Sequence, residues 1–288
     1  MTETAANLVD NVLPYIPYRQ FVVSFPIPLR YWFNTNKKLY SKLHSIIIKE
    51  INQYYISKAS CKDAKPGTIS FTQRFGSALN LNPHLHILCE DGVYIDPSRS
   101  LRKTEKVVFR KAEPISDEEL ARLIKQMSYK VMAYLKRKGN LDKDGDIVSN
   151  PEVDNIYKDY ESINQATASS LAGRIAFGPN AGKYVTRIGS GFGYGEETPL
   201  VKGKRCYSIN GFSLHANTHI NTHNRRGLEK LIRYISRGPL SNKRLEITKD
   251  ENVKLQLKTP WVNGTSHLLF TPEEFIEKLC AFIIGLYS

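Results

Sequence analysis

The sequence has few cysteines and no long apolar run, and each absence argues against a class of protein. Its four cysteines, at positions 61, 89, 206 and 280, lie far apart and form no CxxC pair. This spacing is typical of reduced thiols rather than of a disulfide framework or a cysteine-rich zinc site. No stretch approaches the roughly twenty apolar residues that a helix needs to cross a bilayer, and the start of the chain lacks the layout of a signal peptide. We therefore expect a cytoplasmic protein that does not enter a membrane.

Acidic residues are scarce relative to basic ones. Lys and Arg together number 41 and Asp and Glu 28, which gives the 288-residue chain a net charge of +13. A positive field attracts polyanions and releases their counterions, so nucleic acid is the first partner to consider. The alternative is a basic protein without a nucleic-acid role. A hydrophobic fraction of 41% is ordinary for a globular protein, so a chain of this length can build one large core.

Phosphate-binding loops are also missing. The glycine-dense segment RIGSGFGYGEE at 187–197 contains no Gly-Lys-Ser/Thr, and Tyr194 stands where a dinucleotide-binding fingerprint has its last glycine. We interpret residues 139–199 as an insertion or linker that contains one helix at 157–171, with the glycines in a surface loop. We expect no small-molecule substrate.

Hydrophobic periodicity predicts the regular elements of the first half of the chain. RQFVVSF at 19–25 is typical of a central strand, and apolar residues at helical spacing predict a helix over 35–57. GTISFTQRFG at 67–76 and HLHILCEDGVYI at 84–95 alternate as strands do, and 107–109 adds a short strand. Ser116 and Glu119 form a capping box that opens a helix over 116–138. The order is strand, helix, strand, strand, helix.

Regular patterns return after residue 205. CYSINGFSLHANTHI at 206–220 is interpreted as a strand and 225–237 as a helix. Residues 245–258 predict a hairpin and 267–270 a further strand, after which Thr271 and Glu274 cap a last helix.

Two histidines on one predicted strand are the first candidate site. Alternation along the strand places His84 and His86 on one face and Leu85 in the core behind them. Two neutral imidazoles side by side can bind one metal ion. The alternative is a pair of half-buried histidines that make ordinary hydrogen bonds.

Gln73 lies on the strand just before and is the candidate third ligand. Two nitrogens and an amide oxygen suit Mn²⁺ or Mg²⁺ and leave positions open for phosphate oxygens, whereas a structural zinc prefers four closed ligands. Gln73 as an ordinary structural amide is the alternative, and His215 is the reserve third ligand. His215, His219 and His223 have helical spacing, but their segment is rich in Asn and Thr and resembles a strand and loop, which argues against a separate metal site.

The helix RRGLEKLIRYISR at 225–237 carries the candidate nucleophile. Four apolar residues form a stripe along one face, and four basic residues lie opposite: Arg226, Lys230, Arg233 and Arg237. Tyr234 falls on the boundary, where the core can brace its ring while its hydroxyl faces cationic side chains. A phenol with a pKa of about 10 is a weak nucleophile at neutral pH, and nearby positive charge and a metal-activated phosphate would both help it attack. The alternative is an amphipathic tyrosine on a solvated helix.

Five segments in order resemble the rolling-circle transposases of the insertion-sequence-91 and ISCR (common-region) group. They cover most of the chain outside the glycine-rich insert: RQFVVSFPIPLRYW, FTQRFGSALNLNPHLHILCEDGVY, GFSLHANTHI, RGLEKLIRYISRGPLSNKRL and LKTPWVNGTSHLLFTPEEFIEKL. The resemblance implies an α+β fold of the His-hydrophobe-His (HUH) endonuclease superfamily, with an antiparallel sheet and flanking helices, as in relaxases. It also implies a nuclease core at 1–240 and a hairpin–helix segment at 241–288 packed on that core.

The resemblance implies a mechanism for these residues. His84 and His86 match the family's metal-binding histidines and Tyr234 its nucleophile, so that single-stranded DNA at transposon ends would be nicked and rejoined through a 5′-phosphotyrosine. Many relatives carry two tyrosines four residues apart, but the position four before Tyr234 is Lys230, as in the single-tyrosine ISCR branch. The cysteine-rich zinc segment with which relatives usually begin is absent from the sequence.

Three further expectations concern the contacts with DNA, the role of the metal and the alternative functions. Arg74, Arg225, Arg233 and Arg237 are the candidates for gripping the DNA backbone. Two imidazoles and an amide form a weak, open set, so Mn²⁺ or Mg²⁺ should support activity but not be needed for folding. The alternatives are a catalytically inactive DNA-binding remnant and, with less support, an RNA-binding module, which would need exposed aromatic residues on the central strands.

Overall fold

A computed structural model describes residues 2–61, 63–96, 107–142, 161–188 and 205–287. Its helices are α1 (Thr2–Asn7), α2 (Ile27–Thr35), α3 (Lys37–Ala59), α4 (Asp117–Arg137), α5 (Glu161–Leu171), α6 (Arg225–Ile235) and α7 (Pro272–Tyr287). Its strands are β1 (Tyr18–Ser24), β2 (Thr68–Phe75), β3 (Leu81–Glu90), β4 (Gly92–Ile95), β5 (Val108–Lys111), β6 (Thr186–Ile188), β7 (Cys206–Ile209), β8 (Phe212–His215), β9 (His219–Ile220), β10 (Leu245–Ile247), β11 (Val253–Gln256) and β12 (His267–Phe270).

The main sheet confirms the predicted α+β fold with an antiparallel sheet and flanking helices. Its strand order is β2-β3-β1-β8-β7, with β9 also paired to β1, and every pairing is antiparallel. β1 is central, as its apolar sequence predicts, because both faces of the strand are covered. β4 and β5 form a separate two-stranded ribbon.

The two faces of the main sheet are covered by different helices. On one face α2, α3 and α4 enclose the largest apolar core, which includes Phe21, Leu85 and Leu214 from the strands. Ser116 and Glu119 make the predicted capping box at the start of α4. On the other face α6 packs through Leu228 and Ile232 against a cluster that includes the α1 segment and the side chains of β2. The histidines lie on this second face.

A second sheet, of order β10-β11-β12-β6, forms beside the main one. The predicted hairpin at 245–258 is its first two strands, and α7 begins with the predicted cap, in which Glu274 N donates to Thr271 Oγ1 and Thr271 N donates to the Glu274 carboxylate. This sheet and α7 share a core with Leu79 and Leu81. The loop between β2 and β3 therefore joins the two sheets.

The segment 206–220 differs from the predicted single strand. It is a hairpin of β7 and β8 that turns at Asn210 and Gly211, whose φ angles are 50° and 76°. Asn-Gly is the strongest sequence signal for such a two-residue turn, because both positions need positive φ. The predicted linker helix appears as α5, whereas most of the glycine-dense segment lies outside the described residues. In the parts of the chain that the structure describes, none of the helices has the length and apolarity to span a membrane.

Candidate active site

The two histidines and Gln73 meet on the face of the main sheet against which α6 packs. Strand β3 pairs with β2 so that Gln73 lies opposite His84, and the His86 ring Nε2 is 3.3 Å from the Gln73 Oε1. The two imidazole centroids are 4.9 Å apart. The alternation predicted from the sequence thus brings three nitrogen and oxygen donors to one place, while Leu85 is buried behind them.

The imidazoles are held in the neutral form. Burial lowers the pKa of His84, and burial together with the charges of His84 and Arg237 lowers the pKa of His86 to about 3. The His84 Nδ1 is 2.6 Å from the carbonyl oxygen of Asn82. If Nδ1 donates this bond, the lone pair of Nε2 faces the cleft, which is the arrangement found for metal-binding histidines.

His86 and Gln73 can also act as ligands. The Gln20 Nε2 lies 2.7 Å from the His86 Nδ1. With the Gln20 amide turned so that its oxygen faces the ring, Nδ1 donates a hydrogen bond to that oxygen and the lone pair of Nε2 is left for a metal. The Gln73 Nε2 donates to the carbonyl oxygens of Tyr234 and Ile235, at 3.2 and 3.0 Å, which leaves Oε1 toward His86. The donor set therefore fits a divalent cation with two imidazoles and one amide oxygen. Among the described residues no group of three His, Cys, Asp or Glu side chains could hold a metal.

Helix α6 brings Tyr234 to the same cleft. Its apolar stripe packs on the sheet, and Gln73 binds two of the last carbonyl groups of the helix, which have no partner within the helix itself. The Tyr234 ring lies 6.1 Å from the His86 ring, centroid to centroid and perpendicular to it, and the residue is 44% exposed. Gln73 thus contacts both His86 and the helix end that carries Tyr234.

Two cations flank the tyrosine ring. The Arg237 guanidinium carbon lies 4.5 Å from the ring centroid and the Lys258 Nζ 4.9 Å. The Arg237 Nε is buried and has no hydrogen-bond partner among the described residues. Together with Arg244 these cations line a cleft of about 280 Å³ that also contains His84 and Tyr234, and that we call the tyrosine cleft. An anion between the histidines and Tyr234 would meet positive charge from two sides.

Lys258 and Arg244 were not among the site residues predicted from the sequence. Both come from the second sheet: Lys258 follows β11, and Arg244 precedes β10 and donates to the Ser77 carbonyl oxygen at 2.8 Å. The signal was their position inside the segments SNKRL and LKTPW, which belong to the family resemblance. Lys258 meets Tyr234 through tertiary packing of the hairpin beside the helix, and no local sequence pattern predicts such a contact.

The other arginines chosen from the sequence are placed elsewhere. Arg74 donates to the Asn34 Oδ1 at 3.1 Å, on the face of the main sheet that α2, α3 and α4 cover. Arg225 binds the carbonyl oxygens of Leu13 and Pro14, at the opposite end of α6 from Tyr234. Of the four, Arg237 alone lines the tyrosine cleft.

Arg233 and His215 complete the set of predicted residues. Arg233 is exposed and pairs with Glu229, one turn earlier on the same helix, at 3.7 Å. His215 faces the same side as the histidine pair but is two strands from His86, because Val22 of β1 pairs with both residues. Gln73, on the adjacent strand and in contact with His86, is the better-placed candidate for a third ligand.

Comparisons with known proteins give one family. A family model described as "Putative transposase" matches residues 67–285, which include both histidines, Gln73, Tyr234 and Lys258. No curated protein matches the chain. No solved structure matches it either.

Proposed function

We propose, because the chain belongs to the transposase family that matches residues 67–285, that it nicks and rejoins single-stranded DNA in rolling-circle transposition. Tyr234 is the nucleophile, and His84, His86 and Gln73 hold Mg²⁺ or Mn²⁺. The partner is single-stranded DNA at the ends of a mobile element. One observation carries this proposal: Gln73 contacts both His86 and the end of the helix that bears Tyr234.

In this proposal each side chain of the tyrosine cleft has a distinct task. A divalent cation on the three donors would polarise a phosphate oxygen and make the phosphorus more electrophilic. Arg237 and Lys258, 4.5 and 4.9 Å from the Tyr234 ring, would stabilise negative charge that develops on the phenol oxygen and on the phosphate. Gln73 fixes the end of α6, so that the tyrosine is oriented before the substrate binds.

The chemical step is an exchange of one phosphodiester for another. The Tyr234 oxygen forms a bond to phosphorus, and the bond from phosphorus to the 3′ oxygen breaks. The phenol proton passes to solvent, and the released 3′ oxygen takes up a proton. The 5′-phosphotyrosine conserves the energy of the bond that was cleaved, so a second 3′-hydroxyl can reverse the step and rejoin a strand without ATP.

The test is formation of a covalent adduct. The protein is incubated with labelled single-stranded oligonucleotides that tile the DNA flanking its gene, and the products are run on a denaturing gel. We expect an adduct with the wild-type protein and none with Tyr234→Phe, since this change removes only the hydroxyl. EDTA should abolish the adduct, and Mn²⁺ or Mg²⁺ should restore it, without a change in the circular dichroism spectrum.

Tyr129→Phe is the matched control. Tyr129 is 73% exposed on α4, on the opposite side of the main sheet, so its variant should form the adduct at the wild-type rate. Binding of single-stranded DNA by Tyr234→Phe should be retained, because the cations remain. A wild-type protein that binds the oligonucleotides but forms no adduct with any of them would identify a DNA-binding remnant. An adduct with Tyr234→Phe would mean that another residue is the nucleophile.

A further inference from the structure

A second cavity of about 380 Å³ opens beside the tyrosine cleft. It lies between the turn that joins β2 to β3 and the second sheet, and it shares Gly76, Ser77 and Asn82 with the tyrosine cleft. We call it the Trp261 cavity after the aromatic residue among the described residues of its lining. Ligand pockets in proteins measure roughly 300–1,000 Å³, so this one is suited to a single small group. The shared residues make the two cavities neighbours along the surface.

The walls of the Trp261 cavity are fixed by backbone contacts. Gly76 N donates to the Asn80 carbonyl oxygen at 2.8 Å, and Leu79 of the same turn is buried in the core under the second sheet. On the other side, Trp261 N donates to the Thr265 carbonyl oxygen at 2.9 Å, and Gly264 N donates back to Trp261 at 2.9 Å. Both walls are tight turns anchored in packed sheets, so the cavity is formed before any ligand enters.

Trp261 presents a partly exposed ring together with a guanidinium group. The Arg187 guanidinium carbon lies 5.1 Å from the Trp261 ring centroid and 5.0 Å from that of Tyr184. Aromatic rings with neighbouring arginines are the surfaces on which proteins stack the bases of single-stranded nucleic acids, since every base has a π face.

Asn82 supplies a polar group that lacks a partner. Its Oδ1 is buried and accepts no hydrogen bond from the described residues, although the residue lines both cavities. An enclosed acceptor without a donor is costly in a folded protein and marks a place where a ligand can donate. The exocyclic amines of adenine, cytosine and guanine are such donors, and Asn is a common partner of adenine.

The charge of the Trp261 cavity suits DNA. The charged side chains that line it are all cationic: Arg30, Arg187 and Lys278. Lys278 pairs with Glu277, at 3.1 Å, and donates to the Arg174 carbonyl oxygen, so its charge is partly neutralised. A neutral base with an adjoining phosphate fits this balance better than a purely apolar ligand.

We propose that the Trp261 cavity binds the base of a nucleotide adjacent to the cleaved phosphate. The base stacks on Trp261, and the Asn82 side chain turns toward the cavity so that its Oδ1 accepts from the amine of the base. This inference rests on the proposed action on single-stranded DNA, and it adds the recognition of one base beside the cleavage point. The Asn82 backbone carbonyl accepts from His84, so Asn82 connects this site with the histidine pair.

The first experiment measures the fluorescence emission of Trp261. The chain has two tryptophans, and Trp32→Phe removes the one in the core, so that emission reports Trp261 alone. Titration with a single-stranded oligonucleotide that forms the adduct, carried out in Tyr234→Phe to prevent cleavage, should quench this emission in step with binding measured by anisotropy. Binding by anisotropy without a change in Trp261 emission would overturn the proposal.

The second experiment tests whether Trp261 contacts the base at one position of the oligonucleotide. Replacing each nucleotide near the cleavage point with an abasic site should weaken binding roughly 5- to 150-fold at one position. In Trp261→Ala, an abasic site at that position should no longer weaken binding. In Trp261→Phe, most of the weakening should remain. Asn82→Leu should reduce the preference for a base with an amine over thymine there, and Tyr129→Ala should change nothing.

The outcomes separate this proposal from the nuclease itself. An adduct with the wild type, combined with full abasic sensitivity in a folded Trp261→Ala, would reject the base site and leave the nuclease intact. Quenching and base dependence without any adduct would support the base site in a protein that does not cleave. Absence of single-stranded DNA binding by anisotropy would reject both.

Discussion

At the scale of single residues, Lys258 is the cation whose role the sequence did not suggest. Its Nζ lies 4.9 Å from the Tyr234 ring, and methionine has a similar length without the charge. We expect Lys258→Met to slow adduct formation roughly 10- to 100-fold. The loss should be smaller than the 10²- to 10³-fold typical of an enclosed oxyanion donor, because Lys258 is exposed and water screens it. Single-turnover rates on a gel measure this loss.

Lys249→Met is the control for charge alone. Lys249 is exposed in the turn between β10 and β11, so its loss lowers the net charge equally without affecting the tyrosine cleft. If both variants slow the reaction by the same factor, Lys258 acts through the general field of the protein. If Lys258→Met binds DNA normally but reacts slowly, its charge acts on the chemical step.

At the scale of elements, a buried ion network ties strands β1 and β9, the junction between β3 and β4, and helix α3 together. Asp91 accepts from both Arg19 Nε, at 3.1 Å, and the Tyr55 hydroxyl, at 2.9 Å, and it lies 3.2 Å from the His219 Nε2. Arg19 and Asp91 side chains are each 4% exposed. Asp91→Ala would leave a buried guanidinium without its counterion, and we expect it to lower the free energy of unfolding by about 3–5 kcal/mol. Urea denaturation followed by circular dichroism measures this change.

The ion pair between Lys254 and Glu246, on the hairpin of β10 and β11, serves as the control for the Asp91→Ala substitution. Its atoms are 3.0 Å apart, but the Glu246 side chain is 64% exposed, so Glu246→Ala should cost about 0–1 kcal/mol. Equal effects of the two substitutions would mean that the Asp91 network does not link the elements as its geometry implies.

Local patterns accounted for most elements, and the exceptions have physical causes. Strand alternation, helical apolar stripes and the caps at Ser116 and Thr271 act over a few residues, so they can be identified without knowing the fold. The segment 206–220 is a hairpin and not the predicted single strand, because Asn210 and Gly211 adopt the positive φ angles of a two-residue turn. Helix α2 was not predicted, since Pro26 and Pro28 suggested the end of a strand, although proline is well accommodated in the first turn of a helix.

At the scale of the whole molecule, the net charge of +13 should make DNA binding strongly dependent on salt. For single strands the logarithm of the association constant falls with the logarithm of salt concentration, by about 0.7 per phosphate contact. We expect Arg237→Gln to reduce this slope by about 0.7, since its guanidinium lines the tyrosine cleft. Fluorescence anisotropy at several KCl concentrations gives the slope.

Arg233→Gln is the matched control, four residues earlier in the sequence and within α6. Arg233 is paired with Glu229, so its removal should change the slope by less than that of Arg237. A larger effect of Arg233 would place the DNA along the outer face of α6 rather than in the tyrosine cleft.

The sequence by itself determined the local properties: which residues form β3 and α6, that His84 and His86 share a face, and that Tyr234 lies at the edge of an apolar stripe. These follow from periods of two and 3.6 residues, which need no information from distant parts of the chain. Tertiary structure decided which charged side chains meet Tyr234. Arg225 and Arg237 both belong to the basic segment 225–237, yet one anchors the N-terminal segment and the other flanks the tyrosine. Lys258 and Trp261 reach the site only because Leu79 and Leu81, in and after the β2–β3 turn, share a core with the second sheet, and such long-range packing has no local signature in the sequence.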